Sequence, residues 1–359
     1  MQWKRLLVSL AAAAVACRAG APISVYGAWL CSNDECSWAS VRDMTDFDFK
    51  NHWLIDRGNG QPSVNLVVMS FVNPLKLLDK TTDSANLNGV PIGMTAEVVN
   101  YFKSRSVRVM LSIGGSTYVN DWDTALASNG AQLGTNAAEL AHTLGVGIEI
   151  DYEENTVPNL TGVQAFINAY RGYVHSDGTG TAYDSTGTNP AARLTIDLAA
   201  GDRWLIGLTQ KATSDWLTTT TPVLDYANAM VPSKQPTSAT SAESNWQEHV
   251  DGKPQYSPPI PPLAPAKFTG SLYLISGRKL APECLNFAGS LEDTTGNYVE
   301  SVIPKVQGAT AGMLGYMFWA AECPGSGPCT VPPHDCTSGV GVGATAYSIP
   351  AAMPALRQY

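Results

Sequence analysis

After the N-terminal segment, the chain has no run of about 18 apolar residues, so nothing in its body reads as a membrane-spanning helix. Charge is scarce, with Asp, Glu, Lys and Arg at 15% of the 359 residues. Basic residues never cluster beyond two in a row and the net charge is −9, so the electrostatic footprint of a nucleic-acid binder is missing. No glycine-rich phosphate loop follows the first strand-like stretch, where the residues are Cys31, Ser32, Asn33, Asp34, Glu35 and Cys36. With no Walker motif either, dinucleotide and P-loop folds are excluded. No C-x2-C pair occurs and the five histidines are scattered along the chain, so neither a zinc site nor any other metal or cofactor is expected. Repeats of about 20–50 residues are absent. Hydrophobic residues at 44% rule out a disordered chain.

What is present begins with an address. Lys4 and Arg5 precede an apolar core from Leu6 to Ala16, too short to span a bilayer, and small residues follow at 19–21. Residues 1–19 therefore read as a secretory signal peptide, with residues 20–359 as one catalytic domain, and removing the leader takes the charge to −12. Cys17 leaves with it. Cys31, Cys36, Cys284, Cys323, Cys329 and Cys336 remain, an even number that implies up to three disulfides in an exported protein. Proximity suggests Cys31 with Cys36. Asn159-Leu160-Thr161 is the glycosylation sequon. Secretion as a monomer is expected, with no nucleic-acid or membrane partner.

Short Val/Ile/Leu-rich segments recur at Ile23–Leu30, Val64–Val72, Val107–Ile113, Gly147–Tyr152, Arg193–Leu198, Asp225–Val231, Ser271–Ile275 and Met313–Trp319. They read as strands buried on both faces. Helical periodicity fills several gaps, at Met94–Ser104, Ala131–Leu144 and Gly162–Val174. Eight β/α alternations point to an α/β protein, a single (β/α)8 TIM barrel. The proline-rich stretch Ser233–Lys267 reads as a long loop on the catalytic rim.

The chemistry concentrates in Gly145–Asn155. Strand alternation puts Glu149, Asp151 and Glu153 on one face and Ile148, Ile150 and Tyr152 on the other, with successive acids about 6.6 Å apart. Three carboxylates in a row inside a barrel cannot all ionise, so at least one keeps a proton and can act as a general acid. A calcium site fits less well, because a line of acids along one strand cannot wrap an ion with six or more oxygens.

These residues resemble the signature of glycoside hydrolase family 18, Asp-Gly-x-Asp-x-Asp-x-Glu, which Gly147, Asp151 and Glu153 match; Glu149 stands at the middle aspartate and Val146 at the first. Ser112-Ile113-Gly114-Gly115 matches the family's Ser-x-Gly-Gly on strand three, and Trp319 matches a tryptophan ending strand eight. The resemblance covers most of the mature chain. It implies that Glu153 protonates the glycosidic oxygen while the sugar's own acetamido group attacks the anomeric carbon. It further implies that Asp151 holds the acetamide N–H, that Glu149 shares a proton with Asp151, and that Trp319 floors the sugar. Gly114, Gly115 and Met230 join the implied substrate-binding set. The family's strand-six tyrosine is missing, with Pro232 in its place, and Tyr226 or Tyr316 is the substitute hydroxyl expected.

Only 37 residues separate Ile275 from Met313, too few for the α+β insertion module of some family members. The resemblance therefore implies an open cleft, endo action and no cofactor on a polysaccharide or oligosaccharide of N-acetylglucosamine. Chitin is the leading substrate. Cleavage of the N-glycan core by an endo-β-N-acetylglucosaminidase is the first alternative, and a weakly active or inactive chitin-binding, lectin-like protein is the second.

Overall fold

The computed structural model describes residues 24–30, 43–199, 204–230, 239–273, 275–276, 279–280, 313–319, 321, 340–341 and 344. The expected leader and all six expected disulfide cysteines lie outside the described residues.

Eight parallel strands close into a barrel. They are β1 (Val25–Leu30), β2 (Leu66–Val72), β3 (Arg108–Gly114), β4 (Gly147–Asp151), β5 (Leu194–Ala199), β6 (Ala227–Met230), β7 (Phe268–Tyr273) and β8 (Gly315–Trp319). Each pairs with its sequence neighbour, and β8 returns to β1 through Val25–Gly315 and Ala28–Phe318. The (β/α)8 expectation is met strand for strand. β7 begins three residues before its expected start. Thr269 looks too polar for a strand core, but it faces the barrel interior, where its hydroxyl donates to Asn228 Oδ1 at 2.6 Å. Ile275 belongs instead to a small antiparallel ribbon with Leu280.

The helices are α1 (Met44–Ile55), α2 (Pro74–Asp79), α3 (Ala96–Lys103), α4 (Val119–Leu144), α5 (Leu160–Gly172), α6 (Ile206–Lys211) and α7 (Ala239–Asp251). No helix among the described residues is long and apolar enough to cross a membrane. α4 starts twelve residues before the helix read from periodicity; its backbone leaves helical geometry at Asn129, and the first segment buries Trp122, Ala125 and Leu126 on one face. α5 is capped by Asn159, whose Oδ1 accepts from Gly162 N at 2.9 Å, so the sequon asparagine is also a helix cap. The stretch Ser233–Lys267 is not simply a rim loop. Within it α7 lays Trp246 against Tyr316 on the outside of β8, ring centroids 5.3 Å apart, and so belongs to the helical coat.

Two cores result. The larger lies between strands and helices and contains Ile148, Ile150, Tyr152, Leu194, Ile196 and Leu198. The smaller fills the barrel's lower interior with Val25, Trp29, Leu66, Val68, Met110, Tyr226 and Met317. Beneath it, Arg193 and Arg171 clamp Asp225 at 2.6 and 3.2 Å. The histidines are not all scattered in space: His142, in the last turn of α4, stacks on His175, ring centroids 3.9 Å apart.

Candidate active site

Above the apolar layer the interior turns polar. Ser112, Glu149, Thr195, Asp197, Asn228 and Thr269 all lie within it at no more than 1% exposure, with Asp151 at 3%. Strand register brings them level: Ser112 faces Glu149, Glu149 faces Thr195, and Asp197 faces Asn228.

Glu149 is held by neutral donors. Trp29 Nε1 donates to Oε1 at 2.8 Å and Asn228 Nδ2 to Oε2 at 2.5 Å. Asn228 is oriented in turn by Thr269. Burial pushes the Glu149 carboxyl up, and these donors, with Ser112 and Asp197 beside it, pull it back. Asp197 has the opposite balance. Burial raises it well above the usual carboxylate range, and the charges of Glu149 and Asp151 add to the rise. Asp197 also hydrogen-bonds Glu149. Two carboxyls in that contact need a proton between them, and Asp197 is the member that keeps it. Neither Glu149 nor Asp197 has a cationic partner among the described residues.

Asp151 closes β4, and its backbone carbonyl is gripped from two sides. Trp122 Nε1 and Gly115 N each donate to it at 3.0 Å. Gly114 makes room for the grip: a Cβ there would fall 1.8 Å from that carbonyl oxygen, at a φ of +124°. The Ser-x-Gly-Gly glycines thus dock β3 against the end of β4. Glu153 follows two residues beyond the strand end and is half-buried, rather than continuing the strand as expected. Next to it, Tyr152 points outward, where its hydroxyl meets Asp123 and accepts from Asn159 N at 3.0 Å. Glu154 Oε1 accepts the Val157 amide at 3.0 Å, and Asn155 Oδ1 accepts Leu205 N at 2.8 Å, tying the loop after β4 to the segment after β5.

Trp319 ends β8, half-buried. Its ring lies 5.8 Å from Phe71 at 33°, and 6.3 Å from Trp29 at 64°. Phe71 in turn lies over Gly115, where a Cβ would sit 3.1 Å from the ring. Met230 ends β6, half-buried. An aromatic wall therefore stands at the same end of the barrel as the carboxylates, the end where (β/α)8 enzymes build their sites.

Both substitute tyrosines are corrections. Tyr316 faces out, under Trp246, because alternation along β8 points Met317 inward. Tyr226 does point inward, but one layer below Asn228, with its hydroxyl 3.9 Å from Met110 Sδ. Glu149 and Asn228 lie between it and Asp151. Asp225 supplies no second carboxylate across the site, because it is spent on Arg171 and Arg193 at the opposite end. Sequence reading missed Trp29, Phe71, Asp197 and Asn228. For Asp197 a signal existed: Thr195 and Asp197 alternate with Leu194, Ile196 and Leu198, the same pattern that exposed Glu149 and Asp151.

No protein-family model and no curated protein matches the chain. Among solved structures, it is similar to a family 18 chitinase from Cycas revoluta in complex with allosamidin, at 12% identity and a TM-score of 0.49, covering 90% of this chain and 99% of that one. A chitinase from Rhizomucor miehei is similar at 12% identity and 0.48, covering 88% and 99%. A chitinase-like agglutinin from Robinia pseudoacacia is similar at 13% and 0.47, covering 89% and 99%. Likenesses of this size assign no chemistry to this chain, and the barrel rests on its own strand pairing.

Proposed function

We propose that the protein is a secreted, endo-acting glycoside hydrolase that cleaves β-1,4 links of N-acetylglucosamine polymers, chitin first among them, with help from the substrate's acetamido group. The observation that carries this reading is the acidic row of β4, buried at the C-terminal end of the barrel beside Trp319 and Phe71. Glu153 is the general acid and then the general base for water. Asp151 accepts the acetamide N–H and steadies the positive charge of the cyclised oxazolinium. Glu149, kept anionic by Trp29 and Asn228, sits behind Asp151 and adds to the negative field. In this scheme Asp197, not Asp151, is the partner with which Glu149 shares its proton, so Asp151 stays available to the sugar. Trp319 floors the ring that carries the acetamide.

A second reading, binding with little or no turnover, draws support from Tyr226 and Tyr316, neither of which lies level with Asp151 to hold the acetamide oxygen. Product analysis separates these. Incubation with chitin oligosaccharides should yield short oligomers, and a thiazoline analogue of N-acetylglucosamine should inhibit competitively. Release of glycans from a high-mannose glycoprotein instead would move the substrate to N-glycans. Binding of oligomers with no product would establish the lectin-like reading. Ready hydrolysis of a plain β-1,4-glucan would sink substrate assistance.

A further inference from the structure

The stacked histidines lie at the other end of the barrel from Asp151. His142 belongs to the end of α4, and His175 and Asp177 to a tight turn after α5 whose flanks pair through Val174 and Gly180. Asp177 Oδ2 is 3.5 Å from His142 Nε2, and Asp177 Oδ1 is 3.3 Å from His175 Nδ1. One ligand atom from each residue can be chosen so that all three lie within 4.8 Å of one another.

Hydrogen bonding fixes which atoms face inward. The Thr179 hydroxyl donates its one hydrogen to Asp177 Oδ1 at 2.6 Å. Toward His142 Nδ1, 3.1 Å away, it can then only accept, so Nδ1 carries the proton and Nε2 presents a lone pair to Asp177. His175 Nδ1 lies beside the same residue, 3.4 Å from the Asp177 amide. Two imidazole nitrogens and one carboxylate thus converge at the end of α4.

We propose that His142, His175 and Asp177 form a binding site for one divalent transition-metal ion, of the zinc class, with solvent completing a tetrahedron. The two contacts of Asp177, at 3.5 and 3.3 Å, suit this. Metal–ligand bonds of about 2.0–2.1 Å at tetrahedral angles place neighbouring ligand atoms about 3.3 Å apart. The Nδ1–H of His142 bonded to Thr179 is the outer-shell contact that metal-bound imidazoles require. The carbonyl end of α4 adds a favourable dipole. His142 keeps 23% side-chain exposure, His175 36% and Asp177 50%, which leaves an entry path. Asp151 lies about 13 Å further along β4, so the ion would clip the turn to α4 rather than take part in turnover.

The test uses the full-length protein, stripped with a chelator and titrated with Zn2+ by calorimetry and thermal melting. One equivalent should bind at about micromolar Kd and raise Tm by a few degrees. Thr179→Val should weaken binding about tenfold or more, and His142→Ala with His175→Ala should abolish it. These side chains are half-exposed, so melting of the metal-free variants confirms that they fold. Co2+ in the same site should give a spectrum without a thiolate charge-transfer band. No binding would mean that the pair merely shares protons with Asp177. Binding that survives the double variant, or a thiolate band, would place the ion elsewhere. Each of these outcomes overturns the proposal.

Discussion

Asp225 and the Glu149–Asp197 pair are equally deep in one barrel and are kept there by opposite means. Asp225 has two guanidinium groups and the Leu194 amide around it. Glu149 and Asp197 have indole, amide and hydroxyl neighbours and a shared proton. A compensated carboxylate is fixed in charge and holds structure together. A carboxylate pair without a cation leaves a net negative field directed at whatever occupies the cleft. Folding tolerates that arrangement only where polar side chains from five strands converge, so the uncompensated acids sit at one end of the barrel and the ion-paired staple at the other.

Breaking the two ends should give separable losses. The largest effect expected is on turnover. Glu153→Gln should lower kcat on chitin oligosaccharides at least 100-fold, the scale of losing a general acid, with oligomer binding and Tm unchanged. Retained turnover would remove Glu153 from its role. Next in size is Asp225→Asn, which leaves Arg171 and Arg193 buried without their partner. It should cost about 3–5 kcal/mol of stability in denaturant melts, while molecules still folded keep their kcat. A loss of kcat at full stability would show that the two ends are not independent.

Smaller effects sharpen the contrast. Asp197 is raised in the folded state, so its contribution to stability is fully present below its unfolded value of 3.8 and is lost as pH rises through the folded value. Asp197→Asn cannot ionise. Its denaturation midpoint should decline less than that of wild type in a series from about pH 4 to pH 9, because only Glu149 of the pair is left to ionise. Parallel curves would mean that Asp197 titrates normally. Trp29→Phe, which keeps the ring and removes one donor from Glu149, should cost about 1–3 kcal/mol. The cost should be greatest at high pH, where Glu149 must be ionised, and a pH-independent loss would assign it to packing alone.

Barrel strands were legible because each turns apolar side chains toward the helices, Val, Ile and Leu most plainly in β3, β4 and β5, and Ala, Phe or Tyr in β6, β7 and β8. Asp151 and Glu149 were legible because they break an otherwise apolar strand at alternate positions. Asp197 broke β5 in the same way but sat alone, without a second acid to draw attention. Trp29 and Phe71 were invisible for another reason: an aromatic residue in a strand is ordinarily core, and only closure of the barrel shows that these two turn inward or lie on the rim. The misplaced tyrosines come from the same gap. A hydroxyl can be counted from sequence, but its layer depends on strand stagger, which no single strand encodes. The pairing of His142 with His175 required a helix end and a turn 33 residues further on to meet.

The grip on the Asp151 carbonyl by Trp122 and Gly115, followed at once by the anchoring of Tyr152 to Asp123 and the Asn159 amide, pins the chain on both sides of the turn that presents Glu153. A segment tethered so closely has little slack. Glu153 is therefore ordered before any ligand arrives, and little binding energy would go into ordering it. Amide exchange with deuterated solvent should show this as protection at Gly115 and Asn159 that is already slow in the ligand-free protein and barely slower with oligosaccharide bound.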